Sequence, residues 1–396
     1  MVTAPFSIGR LSQIEFGEGS LGKVSSLVAA LGKRALLVTG SKSFSGSPHW
    51  STLVDSLDAA GVSWAQVRVE GEPSPQCVDQ AVREFRRAGI EVVLAAGGGS
   101  ALDAGKAVAA LLPSGRSVME HLEGVGPEIP YRGPALPSIM VPTTAGTGRE
   151  VTRNSVLSVR GRKGFKKSFR HDDLTPRYAV VDPQLLTTCP RETIAASCID
   201  AVTQLIESFV SARSNPFTDA LAMDGLRAAR QSLLPWHEGG KGGAHARSGM
   251  AYAALVSGIA LSHAGLGAVH GLASPLGAFF HIPHGVVCGT LLHSVTETNI
   301  RAMEKREPRN ASLDKYYRLG AVLAGEEPGE SGEGRDALVR TLSAWTERLD
   351  IPRLGSYGVR ERDLDEVIRS SRGGSMRTNP IALNDSELRE ILERRL

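Results

Sequence analysis

Between Arg247 and Glu297 the chain carries no Asp, Glu, Lys or Arg, although these residues make up 22% of the sequence. The same stretch holds five of the ten histidines: His263, His270, His281, His284 and His293. So long an uncharged interval calls for burial, and so many imidazoles inside it need partners. A deep core or the wall of an active site meets that demand. A membrane span does not, because it needs about 20 predominantly apolar residues. Here Ser262, His263, His270, Ser274, Pro275, His281, Pro283 and His284 interrupt the run. The interval reads as buried helix.

Composition narrows the rest. Lys and Arg total 45 against 42 Asp and Glu, and a formal charge of +3 gives no basis for a nucleic-acid or membrane-surface binder. The N-terminus, MVTAPFSIGRLSQ, lacks the basic start and apolar core of a secretory signal. Cys77, Cys189, Cys198 and Cys288 form neither a CxxC pair nor a disulfide framework. A soluble, cytoplasmic protein is expected.

The first half alternates. Residues 34–39, 63–69, 91–96 and 137–142 read as strands, and 50–60 and 76–88 have helical spacing. Strands alternating with helices imply parallel pairing and a doubly wound α/β sheet. From about Arg191 long apolar-periodic segments take over: Ile194 to Val210, Phe217 to Leu234, Met250 to Leu261 and Tyr316 to Leu323. The expected organisation is an α/β domain with a parallel sheet over residues 1–190, then an all-α helical domain over 191–396. Residues 237–245 and 325–334 read as exposed loops.

Three segments carry chemistry. Gly97-Gly98-Gly99-Ser100 follows a strand and opens a helix, where free N–H groups and about half a positive charge suit a phosphate. A plain tight turn is the alternative. Pro142-Thr143-Thr144-Ala145-Gly146-Thr147-Gly148 makes a second polar loop at the carboxyl edge of the sheet, where ligands of open α/β sheets bind. A hydroxyl-capped turn is the other reading there. Two such loops in one sheet favour a nucleotide. Asp200 and Gln204 stand at i, i+4 on one helix face. His270 and His284 follow, and a carboxylate with imidazoles is a usual donor set for Zn2+ or Fe2+. Hydrogen-bonded core histidines are the plainer account of the same residues. Four polar groups in one helical core still need a common explanation, since unpaired burial costs about 1–3 kcal/mol each.

Taken together, GGGSALDAGK (97–106), PTTAGTGREVT (142–152), DAVTQLIESFVS with NPFTDAL (200–221) and GLGAVHGLASPLGAFFHIPHG (265–285) resemble the iron-containing (group III) alcohol dehydrogenase family in order and spacing. The likeness covers nearly the whole chain. It implies a dinucleotide-binding N-terminal domain, a helical metal and substrate domain, a reaction in the cleft between them, and a homodimer. Gly98, Gly99 and Ser100 would hold the pyrophosphate of NAD or NADP, with Asp103, Thr143, Thr144, Thr147 and Lys166 lining the rest of that site. Asp200, His270 and His284 match three of the family's four metal ligands, one Asp and three His.

Two positions depart from the family. Gln204 stands where a ligand His is expected, and Ser274 where a substrate-site His is expected. An amide oxygen is a poorer donor than imidazole to Fe2+ or Zn2+. His263 and His281 stand where many relatives carry Asn. Gly40, followed by Ser41 and Lys42, replaces an Asp that favours NAD, which leaves room for the 2′-phosphate of NADP. Arg149, Arg153 and Arg170, with His281, would suit a substrate bearing a carboxylate or phosphonate; surface or cofactor-phosphate contacts are the simpler reading of the three arginines.

The expected reaction is hydride transfer between NAD(P)(H) and a small alcohol/aldehyde pair, assisted by a divalent metal on Asp200, Gln204, His270 and His284. His281, His270 and His284 are the expected catalytic histidines. A metal-independent reductase resembling maleylacetate reductase is the alternative, as are a dehydroquinate-synthase-like lyase and a cofactor-binding protein that has lost its metal.

Overall fold

The computed structural model describes residues 5–240, 242–325 and 331–396. Six strands form one parallel sheet: β1 (Gln13–Phe16), β2 (Arg34–Gly40), β3 (Ser63–Val69), β4 (Val92–Gly97), β5 (Ser138–Pro142) and, after two intervening strands, β8 (Tyr178–Val181). Their order is β1-β8-β5-β4-β2-β3. Between β5 and β8 lies an antiparallel pair, β6 (Asn154–Val159) and β7 (Phe165–Arg170).

Continuous apolar runs such as VVLAAG in β4 form strands covered on both faces, as parallel sheets require. Alternate side chains of β2 go to opposite layers. Leu36 and Val38 pack with Val78 and Val82 of α3 (Pro75–Phe85) and Leu102 and Val108 of α4 (Gly99–Leu111). Ala35 and Leu37 pack with Val24 and Val28 of α1 (Val24–Leu31) and Leu53 and Leu57 of α2 (Pro48–Ala59). This is the expected doubly wound arrangement. The strands and helices read from the sequence in this half are present, with ends shifted by up to three residues. The short strand β1, the pair β6–β7 and β8 were not anticipated.

The second half is helical: α5 (Arg191–Val210), α6 (Pro216–His237), α7 (Gly243–Ala264), α8 (Ala268–Phe279), α9 (His284–Arg306), α10 (Ser312–Ala324), α11 (Ser331–Arg348), α12 (Leu364–Ser370) and α13 (Asp385–Glu393). Asn215 caps α6 in a reciprocal box with Thr218, and Pro216 fills the first helical position. The uncharged interval becomes most of α7, all of α8 and the first half of α9, with a bend of 101° between α7 and α8. Among the described residues α5 is the one unbroken helix long and apolar enough to cross a membrane. It is packed inside the protein instead, against α6, α7 and α9.

Two expected loops are shorter than read. His237 closes α6, and Gly243 already opens α7. Within 325–334, residues 326–330 lie outside the described residues, and Ser331 begins α11.

Candidate active site

The two polar loops meet at the carboxyl edge of the sheet. Thr143 donates its backbone N–H to the Gly97 carbonyl at 3.0 Å. Gly98 caps α4 without a side-chain acceptor, so the first N–H groups of the helix stay free. A methyl at Gly99 would lie 2.8 Å from Thr147 Oγ1, so glycine lets the second loop close on the helix start. Gly40 ends the neighbouring strand β2 with open space where a side chain would stand, and Ser41 and Lys42 beside it are exposed. Gly40, Gly98, Gly99, Ser100, Thr143 and Thr144 thus follow the ends of three adjacent strands.

Asp103 is placed one turn into α4, but its partners belong to the protein. Its carboxylate lies 3.0 Å from Lys106 Nζ and 3.3 Å from Arg149 Nε. Lys106 also donates to Thr152 Oγ1 at 2.8 Å and to the Asn154 carbonyl. Burial pulls the Lys106 pKa down to about 8 against the attraction of Asp103. Lys166 stands on β7, where its ammonium donates to Glu72 at 2.5 Å. Ser274, at the position where a substrate-site His was expected, donates to the Lys166 carbonyl at 2.8 Å.

The second cluster belongs to the helices. Asp200, Gln204 and Glu207 share one face of α5, His270 sits on α8, and His284 and Cys288 are one turn apart on α9. A side chain at Gly285 would strike the Ala196 carbonyl of α5, so glycine lets the start of α9 press against that helix and hold His284 near Asp200. His270 Nε2 lies 3.3 Å and His284 Nε2 3.8 Å from Asp200 Oδ1. The two rings are 5.3 Å apart.

Hydrogen bonds fix the orientation of these groups. Glu207 accepts from His270 Nδ1 at 2.6 Å and from the Val269 N–H at 2.7 Å. A carboxylate only accepts, so the His270 proton sits on Nδ1 and Nε2 turns toward Asp200. Two electron-rich groups facing each other in this way require a proton or a cation between them. Burial disfavours charge on His270, yet Cys288, Glu207 and Asp200 around it hold its pKa well above the ordinary imidazole value. Burial, aided by Lys166, His270 and Arg149, pushes His284 down to about 3 despite Asp200. Asp200 is held well below the usual carboxylate range: burial would raise it, but His284 and His270 outweigh that. Its Oδ1 is buried and accepts no hydrogen bond, and His284 Nδ1 is likewise unpartnered.

Gln204 is held by two hydrogen bonds. Its amide donates to Asp200 Oδ2 at 3.1 Å, and its oxygen accepts from Ser257 at 2.7 Å, so it orients the carboxylate rather than presenting oxygen to the imidazoles. Cys288 was not singled out from the sequence. Its Sγ stands 3.7 Å from His270 Nε2 and 3.8 Å from His284 Nε2. Burial pushes its thiol up to about 12. Glu207 was also missed. Spacings of i, i+4 and i, i+7 point to both: His284 to Cys288, and Asp200 to Gln204 and Glu207.

The other histidines and arginines singled out from the sequence make their hydrogen bonds and ion pairs outside this cluster, although Arg149 is near enough to act on His284. His281 is exposed, with Arg160 Nη1 at 3.3 Å from its Nδ1. A guanidinium only donates, so the neutral ring carries its proton on Nε2. Arg160 and Glu72 also line a cavity of about 260 Å³. His263 Nδ1 meets the Ile259 carbonyl of its own helix at 2.8 Å, and His293 Nε2 meets Ser294 at 3.2 Å. Arg149, Arg153 and Arg170 are paired with Asp103, Asp172 and Glu123. None of the three is brought to His281 in these pairs.

Known proteins share both halves of this arrangement. The fold superposes with a TM-score of 0.90 on a solved 1,3-propanediol oxidoreductase, 27% identical, covering 99% of this chain and 100% of that one. Alcohol dehydrogenase 4 of Saccharomyces cerevisiae is 31% identical over 384 residues, 96% of this chain and 95% of that protein. The NADPH-dependent butanol dehydrogenase of Clostridium saccharobutylicum is 31% identical over 395 residues, with the same coverage. The family model "Iron-containing alcohol dehydrogenase" matches residues 12–183, and "Fe-containing alcohol dehydrogenase family, C-terminal" matches 194–396. The class is therefore an NAD(P)-dependent oxidoreductase working between alcohols and aldehydes. Within it, the chain belongs to the iron-containing alcohol dehydrogenase family.

Proposed function

We propose that the enzyme reduces a small aldehyde with NADPH, and oxidises the alcohol in reverse, at a site between an N-terminal domain ending near residue 190 and the helical domain that follows. One observation carries the reading. Asp200, His270 and His284 converge from three helices with a buried carboxylate oxygen that accepts no hydrogen bond and a ring nitrogen turned toward it. These groups suit a divalent ion. Held there, it supplies Lewis acidity toward the substrate oxygen.

The protein's own groups do the rest. Glu207 keeps the His270 proton on Nδ1, the orientation that carboxylate partners give to ligating histidines. Gln204 and Ser257 keep Asp200 from turning. The uncharged walls of α7, α8 and α9 exclude water, which strengthens every interaction inside. His281, outside the cluster with its proton on Nε2, passes protons between the site and solvent.

For the cofactor, Gly98, Gly99 and Ser100 offer backbone N–H groups to the pyrophosphate at the start of α4. Thr143, Thr144 and Thr147 flank them, and Asp103 braces the helix start through Lys106 and Arg149. Lys166 approaches from β7. The space at Gly40 and the donors of Ser41 and Lys42 favour the 2′-phosphate of NADP over NAD. A second copy of the chain is the expected partner, because Ile14 and Phe16 are exposed on the edge strand β1, with Phe6 and Leu11 before it.

Two measurements test this. Protein purified without chelator should contain about one divalent ion, Fe2+ or Zn2+, per chain, and kcat/KM with a short aldehyde should be higher for NADPH than for NADH. An ion-free enzyme with full activity would sink the metal reading. A large preference for NADH would sink the cofactor reading.

A further inference from the structure

We infer that Cys288 is the fourth ligand of the ion held by Asp200, His270 and His284, so that the centre binds through one oxygen, two nitrogens and one sulfur. The inference rests on the metal-site reading above and completes its ligand set, since Gln204 is turned away.

The geometry carries it. Ligand distances of about 2.0–2.1 Å for nitrogen and oxygen and about 2.3 Å for sulfur give a tetrahedral centre donor–donor edges of about 3.3–3.6 Å. In the protein, His270 to Asp200 is 3.3 Å and His284 to Asp200 is 3.8 Å. Cys288 Sγ stands 3.7 Å and 3.8 Å from the two imidazole nitrogens. All four donor atoms lie within 4.8 Å of one another. A cysteine buried merely for its bulk does not require its sulfur to complete such a set. Asp200, only 1% exposed, directs its Oδ1 toward these donors, and no well-aligned hydrogen bond satisfies that oxygen.

His284 and Cys288 are one helical turn apart, so α9 supplies two donors from one face. On coordination the Sγ–H bond breaks, its proton leaves to solvent, and the sulfur lone pair forms the bond to the ion. No oxidation state changes. A thiolate softens the donor set and shifts preference toward Zn2+ and its mimic Co2+, relative to a centre of nitrogen and oxygen alone.

The test uses the full chain, stripped of metal and titrated with Co2+. The expected spectrum has the visible bands of four-coordinate cobalt together with an intense near-ultraviolet thiolate-to-cobalt charge-transfer band. That band should disappear in Cys288→Ser, which still takes up Co2+ at a lower affinity, and should persist in Gln204→Ala and in Cys198→Ser. The wild-type spectrum is informative by itself should Cys288→Ser fail to fold. Cobalt uptake without the band, or a band that survives Cys288→Ser, overturns the assignment of Cys288 and leaves the metal site standing. No uptake at all overturns the metal-site reading as well.

Discussion

Asp103 and Asp200 are both buried aspartates on helices, and each has an ionisable partner within 3.3 Å of a carboxylate oxygen. Their surroundings differ in kind. Asp103 shares its pocket with Glu150 and has Lys106 and Arg149 beside it, two carboxyls against two bases. Asp200 shares its pocket with Glu207, but its neighbours are an amide, a thiol and two imidazoles. His284 is depressed to about 3, so His270 alone can carry a proton at neutral pH. Neither Asp200 nor Glu207 has a Lys or Arg paired with it among the described residues. Burying an uncompensated charge is costly, and such sites are paired or filled by a metal. The first cluster pairs its charges among protein groups; the second is the one we propose to be filled by an ion from outside.

Four substitutions can break or sharpen this contrast. Asp200→Asn should have the largest effect, lowering kcat on the order of 10³-fold, because the Lewis acid contributes several kcal/mol. A steady-state assay with added metal checks it, and near-normal turnover would remove Asp200 from the chemistry. Asp103→Asn should instead cost about 3–5 kcal/mol of stability, since it strands buried cations. Urea unfolding at neutral pH reads this. A variant as stable as wild type would mean that the Asp103 pairs contribute nothing.

Glu150 offers a pH test of the self-neutralised cluster. Burial raises its pKa from an ordinary 4.5 to about 7. The native state therefore keeps a proton that the unfolded chain releases, and stability falls as pH rises between these values. Glu150→Gln should be more stable than wild type at pH 8 by on the order of 2–3 kcal/mol, with the gain vanishing near pH 4. A gain independent of pH would contradict the assignment. Glu207→Gln should have the smallest effect, weakening metal binding by about 10–100-fold while leaving one ion per chain at saturation. Unchanged affinity would mean that Glu207 does not act through His270.

The contrast was only partly legible in the sequence. The sheet was legible because buried parallel strands are unbroken apolar runs, as in LLVTG and VVLAAG. Strand β1 was not, because its four residues leave Ile14 and Phe16 exposed and show no apolar run. The pair β6–β7 is rich in Lys, Arg and Ser and folds as an antiparallel excursion between two strands of the parallel sheet. In the site, Asp200, His270 and His284 follow from donor chemistry and family likeness. Gln204 and Cys288 do not. Which way an amide turns depends on Ser257, 53 positions away on another helix. The approach of Cys288 to His270 depends on how α8 and α9 pack. The i, i+3 spacing of Asp103 and Lys106 suggests a local pair, but the Arg149 partner becomes visible only once the second loop folds against α4.

The central claim is that one buried aspartate awaits a cation and the other does not. Calorimetric titration of Zn2+ into the metal-free chain tests it directly, run side by side on wild type, Asp103→Asn and Asp200→Asn. One high-affinity ion per chain is predicted in the first two and none in the third. Stoichiometric, tight binding that survives Asp200→Asn, or is lost in Asp103→Asn while that variant remains folded, would contradict the account.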